Sequence, residues 1–124
     1  MKDKVIAAVI MAVTVLSVFI NTFMLERQIS AVIDEVDAIE IRDEGAKALE
    51  DAARDAYDLF KKKEAYISLT VNHDDLTNIE ESFAELIGYL SVDDADGARV
   101  VKNRLFDSLE HLRRLSGFNI DAII

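Results

Sequence analysis

The densest group of side chains able to do chemistry lies in segment 72–82, NHDDLTNIEES. An imidazole beside carboxylates is a donor set that suits zinc or manganese. The spacing matches no established ligand pattern such as HExxH, and the second histidine, His111, lies far along the chain. We therefore predict no metal ligand, no cofactor and no catalytic residue, and so no enzyme. The residues that remain as a candidate polar motif are Asn72, His73, Asp74, Asp75, Asn78 and Glu80.

The same motif also has the composition of a helix start. Asn72 and Asp74 are residue types that cap a helix N-terminus, and Thr77 with Glu80 fits a capping box one turn later. Acidic residues in a first turn are favourable because they face the positive end of the helix dipole. We expect the capping role, with a metal or small cationic ligand as the alternative.

The elements that position this motif begin with a segment unlike the rest of the chain. Residues 5–25 contain no charged side chain over 21 positions. A helix of that length, at about 1.5 Å per residue, crosses a hydrocarbon core of roughly 30 Å. The exit from Asn21 to Glu26 lacks the Ala-x-Ala pattern of signal-peptide cleavage. We expect residues 1–25 to be a cytoplasmic tip and retained anchor, with a secreted helical protein after cleavage as the alternative.

The basic residues around this segment predict its orientation. Lys2 and Lys4 precede it, whereas Arg27 is the one basic residue that closely follows it. Because basic flanks stay on the cytoplasmic side, we expect a single-pass protein of the cell membrane. Its N-terminus is then cytoplasmic, and residues 26–124 form an extracytoplasmic domain.

One face of the apolar segment carries polar side chains. Thr14, Ser17 and Asn21 follow one another at helical spacing and form a candidate transmembrane contact face. In lipid, such residues favour helix–helix contact through close packing and hydrogen bonds. The alternative is that Thr14 and Ser17 bond to their own helix backbone while Asn21 lies near the headgroups.

Charge and composition exclude several classes of function. The chain has a net charge of −10; residues 1–25 carry +1, so the residues after the apolar segment carry −11. Phosphates repel such a domain, so a nucleic acid is not an expected partner. The chain contains no cysteine, which excludes a disulfide, a thiolate metal site and a cysteine nucleophile.

The remaining sequence has the period of helices. There is no proline, and apolar residues recur at steps of three and four. We predict an all-α fold, in which the transmembrane helix continues to about Ile41 and joins a small antiparallel bundle of three to four helices. The second helix runs from Ala46 to about Val71, and the third carries its apolar row from Leu76 to Leu90. The fourth carries its row from Val101 to Leu115, Ser116 and Gly117 end it, and the tail 118–124 docks on the bundle.

The arrangement resembles the domain-of-unknown-function family forty-three sixty-three, small anchored proteins of Gram-positive anaerobes. The resemblance rests on Asn72-His73-Asp74-Asp75-Leu76, on Asn78-Ile79-Glu80 and on Asn119-Ile120 near the end. It covers about residues 5–124 and is most specific over 66–124. The sequence departs from the family pattern at Asn72, where an acid is usual, and at Tyr66, where a tryptophan is common. The resemblance implies membrane anchoring and helices, and no reaction.

These observations lead to two expectations for function. The first is an interaction or accessory protein, whose partners are the lipid bilayer and either another membrane protein or a second copy of the chain. The second is a sensor-like bundle that binds a small cationic ligand or metal between its helices. The second requires His73 and at least two carboxylates to point into a pocket.

Overall fold

The prediction of an all-α chain is confirmed by a computed structural model. It describes residues 2–67 and 73–123, with their side chains except at 22, 66 and 116–123. The described residues contain no strand. The helices are α1 (Lys2–Asp37), a short 3-10 helix (Ala46–Leu49), α2 (Glu50–Ile67), α3 (His73–Ser91) and α4 (Ala95–Ile123).

The four α-helices form an antiparallel bundle. α1 packs against α2 and α4, and α3 also packs against α2 and α4, so that each helix contacts its neighbours in the chain. Short connections between consecutive helices favour this up-and-down arrangement.

The two ends of the bundle are defined by its connections. At one end, called the far end, the Lys47 amide donates to Asp93 Oδ1 at 3.1 Å and Arg99 pairs with Asp43 at 2.9 Å. These contacts bring the connection after α1 beside the turn between α3 and α4. The opposite end, called the near end, is where α1 enters the bundle, α2 ends, α3 begins and α4 passes Leu112.

The bundle core follows the apolar rows of the sequence. Four apolar residues of α1, at positions 29, 32, 33 and 36, and Ile39 just after the helix are each at most 4 % exposed. Phe60 of α2 and Phe83 of α3 stack with ring centroids 5.6 Å apart. Burial of each such side chain contributes about 1.5–3 kcal/mol, which makes these rows the main source of stability.

The turn between α3 and α4 is built by two aspartates. Asp93 has a left-handed backbone, with φ of 58°, and its amide donates to the Leu90 carbonyl, while the Asp94 amide donates to the Tyr89 carbonyl. This pair of bonds ends α3 in a Schellman motif. Asp94 Oδ1 then accepts the Gly97 amide at 3.0 Å and caps α4.

The first helix is shorter than predicted. α1 ends at Asp37 rather than near Ile41. The Ile39 amide donates to the Val36 carbonyl at 3.1 Å, three residues back, which tightens the last turn. The chain then leaves the helix direction, and Ile39 stays in the core at 2 % exposure.

The fourth helix is longer than predicted. Ser116 and Gly117 do not end α4, which continues to Ile123. A glycine inside a helix costs about 1 kcal/mol relative to alanine, which does not by itself stop the helix. Leu115, predicted to be core, is 40 % exposed because α4 is leaving the bundle at that point. The predicted docking of the tail depends on side chains that lie outside the described ones. Residues 68–71 of the second predicted helix also lie outside the described residues.

Candidate functional site

The first part of α1 presents an apolar surface that nothing in the described chain buries. α1 is the one helix of the described residues that is long and apolar enough to cross a membrane. Its large apolar side chains stay exposed through Met24, with Val5 at 63 % and Met11 at 70 %. Exposure stops at Leu25, which is 3 % exposed, and Ile29 follows at 1 %. One helix therefore has an uncovered apolar part and a core-forming part. A signal sequence has the same length and composition.

The candidate transmembrane contact face lies on this uncovered part. Thr14, Ser17 and Asn21 are all exposed. The Thr14 hydroxyl donates to the Ile10 carbonyl at 2.8 Å, so it is satisfied within its own helix, as one alternative expected. Positions 14, 18, 21 and 25 follow one another at helical steps of four and three residues, and Leu25 is buried. The face is thus the continuation of the row that forms the bundle core.

The candidate polar motif lies at the start of α3. His73 is its first residue and is exposed, while Asp74 and Asp75 stand in the first turn, where acidic charge is favourable. Asp74 lies inside the helix rather than at its cap, and Asn72 lies outside the described residues. The pocket required by a ligand-binding role needs His73 directed inward, and this side chain lies at the surface.

The predicted capping box of Thr77 and Glu80 is wrong. The Thr77 hydroxyl donates to the His73 carbonyl at 3.1 Å, one turn back in the same helix. Glu80 turns towards α2, where Lys61 Nζ lies 3.2 Å from its Oε1. Both residues are already within α3, whose first residue is His73, so neither has a helix start to cap.

Glu80 belongs to a charged cluster that joins α2 to α3. Lys61 Nζ lies 2.7 Å from Glu64 and 3.2 Å from Glu80. The hydrogen bond between the two carboxyl groups raises the pKa of Glu80 and lowers the pKa of Glu64, with Lys61 lowering both. The pKa of Lys61 is raised, because its hydrogen bonds to Glu64 and then to Glu80 favour the ammonium.

This cluster was not predicted from the sequence because its members come from two helices. Lys61 and Glu64 are one turn apart in α2, which was visible, but Glu80 joins them only through the packing of α3. The signal available in the sequence was the hairpin itself. Residues at similar distances before and after a short connection meet when the two helices are antiparallel.

Antiparallel packing of α3 and α4 also brings residues that are distant in the chain to one groove. Part of the polar motif lies in an open groove between α3 and α4, and His111 lies there too, although it is far along the chain. The groove is lined by Asp75, Asn78, Arg104, Asp107, Ser108 and His111. Within the described part of the chain, no three histidine or acidic side chains come together closely enough to hold a metal ion. The groove therefore offers hydrogen bonding and charge at an open surface.

Charge is distributed unevenly between the two ends of the bundle. The connection after α1 and the turn before α4 bring acidic residues to the far end, including Glu40, Asp43 and Asp93. The near end carries the lysines 61–63 at the end of α2 and the pair Arg113 and Arg114. The far end is thus an acidic surface, and the near end, where the apolar part of α1 leaves the bundle, carries these basic side chains as well as Asp74 and Asp75 at the start of α3.

Comparison of the chain with protein families, with curated proteins and with solved structures finds no match.

Proposed function

We propose that this chain is a single-pass protein of the cell membrane, anchored by the first part of α1. Its N-terminus is cytoplasmic, its acidic bundle is extracytoplasmic, and it acts as an interaction or accessory protein that docks on another membrane protein. The observation that carries the proposal is the change along α1, from exposed apolar side chains up to Met24 to buried ones from Leu25. Contiguous exposed apolar surface of this extent requires a lipid or protein environment.

Continuity of α1 supports a retained anchor that also positions the bundle. A helix of 36 residues is about 54 Å long, enough to span the hydrocarbon core and still contribute several turns to the bundle. The bundle therefore has no flexible linker to the membrane and is held close to its surface. The resemblance to the small anchored family, which remains a prediction, implies the same arrangement.

The acidic far end is the surface we propose for docking. It points away from the anchor and concentrates exposed carboxylates, among them Glu40, Glu44 and Asp51. Complementary charge favours specificity and fast association more than affinity, which suits recognition of a basic surface on a neighbouring membrane protein. Glu40 and Glu44 line an open depression rather than an enclosed cavity, which supports a docking surface rather than a small-molecule site.

The anchor is tested by fractionation of the full-length chain and of a variant lacking residues 2–24. We expect the full-length protein to stay in the membrane after alkaline carbonate washing and the shortened variant to be released. The intact mass of the membrane-bound protein should include residues 2–24. A mature protein that begins near Glu26 would instead support the secreted alternative. Protease added to spheroplasts should digest the bundle, which tests the orientation.

Docking is tested by co-purification from gently solubilised membranes. We expect a stoichiometric membrane protein to accompany the wild type and to be lost from the far-end variant E40Q/E44Q/D51N. The variant D58N/E81Q/D107N changes the net charge equally at exposed positions elsewhere and should retain the partner. Recovery of the wild-type protein alone, as a monomer or self-paired, would contradict docking on another protein.

A further inference from the structure

The C-terminal part of α4 lies at the end of the bundle from which the anchor leaves. The far-end contacts of Lys47 with Asp93 and of Arg99 with Asp43 bring the end of α1 beside the start of α4. α1 and α4 pack against each other, and in this arrangement they run in opposite directions. The last turns of α4 therefore run towards the membrane that α1 enters.

These turns extend beyond the core. Leu112 is the last core residue of α4, at 1 % exposure, and the helix continues to Ile123. Eleven further residues at about 1.5 Å each reach roughly 16 Å past Leu112. The bundle surrounds α4 only up to this point, so Leu115, at 40 % exposure, is already an uncovered apolar side chain.

The spacing of the core positions continues along both helices beyond the bundle. In α4 the buried positions Leu105, Leu109 and Leu112 recur at steps of four and three, and the same steps continue to positions 116, 119 and 123. In α1 the core row continues backwards from Leu25 through 21, 18 and 14. Val18 is 38 % exposed and Asn21 is exposed, so this row is open to a further contact.

The charge and composition of the region fit the surface of a bilayer. Lys62 and Arg114 are exposed at the near end, where anionic headgroups attract basic side chains. From Leu115 to Ile123 the sequence LSGFNIDAI contains a single charged residue, Asp121. A carboxylate becomes more costly with depth in the hydrocarbon, so Asp121 keeps such a segment near the headgroups.

We propose that segment 113–123 of α4 is a second membrane contact, which packs along α1 and enters the headgroup and outermost acyl region of the outer leaflet. The inference rests on the proposed anchoring of α1. It assigns the candidate transmembrane contact face at Asn21 to a segment of the same chain rather than to a partner protein. The bundle is then held to the bilayer by two helices, which orients its acidic far end away from the membrane.

The test uses the absence of native cysteine, because any introduced cysteine is a unique labelling site. Full-length variants Ala12→Cys, Phe118→Cys, Ile123→Cys and Val92→Cys are labelled with an environment-sensitive fluorophore. Each is reconstituted into phosphatidylcholine–phosphatidylglycerol vesicles that contain lipids with a nitroxide near the headgroup end of an acyl chain. Position 12 reports the anchor, positions 118 and 123 report the segment, and Val92, 72 % exposed at the far end, is the control. Helicity by circular dichroism checks that each variant is folded.

We expect strong quenching at 12, 118 and 123, and several-fold weaker quenching at 92. Quenching at 12 without quenching at 118 and 123 would overturn the second contact and leave the anchor intact. Absence of quenching at 12 would overturn the proposed anchor itself. Equal quenching at 92 would overturn the inference as well, because the bundle would then lie flat on the membrane.

Discussion

Glu64 and Glu80 illustrate how two identical side chains acquire opposite ionisation properties. Both contact Lys61, and each forms a hydrogen bond with the other, which requires a shared proton. The pKa of Glu80 is raised by this bond and by burial, whereas the pKa of Glu64 is lowered by the same bond and by Lys61. The folded protein therefore favours a proton on Glu80 and a charge on Glu64.

These shifts predict opposite pH dependences for two matched variants. The stabilisation from Glu80 is present below its ordinary pKa and is lost as pH rises through its raised folded pKa. The stability of E80Q relative to wild type should therefore increase as pH rises. The stabilisation from Glu64 is present above its ordinary pKa and is lost as pH falls through its lowered folded pKa, so E64Q should be less stable than wild type at neutral pH.

The measurement is the free energy of unfolding of full-length protein in detergent between about pH 3 and pH 7, around the ordinary glutamate pKa. Each difference should be below about 1 kcal/mol, because the cluster is partly solvated. If the difference in unfolding free energy from wild type changed in the same direction with rising pH for both variants, the assignment of the proton to Glu80 would be contradicted.

The connections between helices decide where each helix starts and stops. Asp93 ends α3 with a left-handed backbone, and Asp94 caps α4 through the Gly97 amide. The Tyr89 ring packs directly over Gly97, where a Cβ atom would lie 2.5 Å from Tyr89 Cδ1, so a larger residue would displace the ring. The residues of the turn between α3 and α4 thus explain why α4 begins at Ala95.

Removal of the α4 cap should destabilise the bundle measurably. We expect Asp94→Ala to lower the free energy of unfolding by about 1 kcal/mol, because the Gly97 amide loses its acceptor. Asp94→Asn supplies an equivalent cap and should remain within a few tenths of a kcal/mol of wild type. Thermal unfolding followed by circular dichroism compares the two. Equal losses would indicate that the charge of Asp94, rather than its hydrogen bond, stabilises the helix.

At the scale of the whole molecule, α1 is both the proposed anchor and one of the four helices of the bundle. Its exposed part ends at Met24, and the five buried residues from Leu25 to Val36 lie in the bundle core, where α1 packs against α2 and α4. Burial of five such side chains is worth roughly 7–15 kcal/mol, comparable to the total stability of a small domain. The domain boundary predicted after residue 25 remains a prediction, and it falls inside one continuous helix.

Two truncations separate these roles of α1. A variant lacking residues 2–24 should retain helical structure and a cooperative thermal transition. A variant lacking residues 2–37 should lose the transition, because α2 and α4 would expose the surface that Leu25, Ile29 and Val36 cover. Circular dichroism in the same detergent compares them. A cooperative transition in the shorter chain would mean that three helices are sufficient for folding.

Much of the architecture was predictable from the sequence because it depends on local properties. An uncharged stretch and rows of apolar residues at three- and four-residue steps identify four helices and nearly all of their core residues. Helix ends were less predictable. Ile39 stays in the core after α1 has ended, and Gly117 does not stop α4, since both outcomes depend on what the neighbouring helices cover.

Only the tertiary structure decided which polar residues meet. Spacing along one helix contains no information on the relative register of two helices. The ion pair of Lys61 with Glu80, and the common groove of Asp75 and His111, could therefore not be predicted from their own positions. Nor does spacing along one helix show which residues lie at each end of the bundle. The sequence by itself determined an apolar helix and an acidic helical domain. The packing of α1 against α4 placed acidic residues at the far end and directed the last turns of α4 towards the anchor.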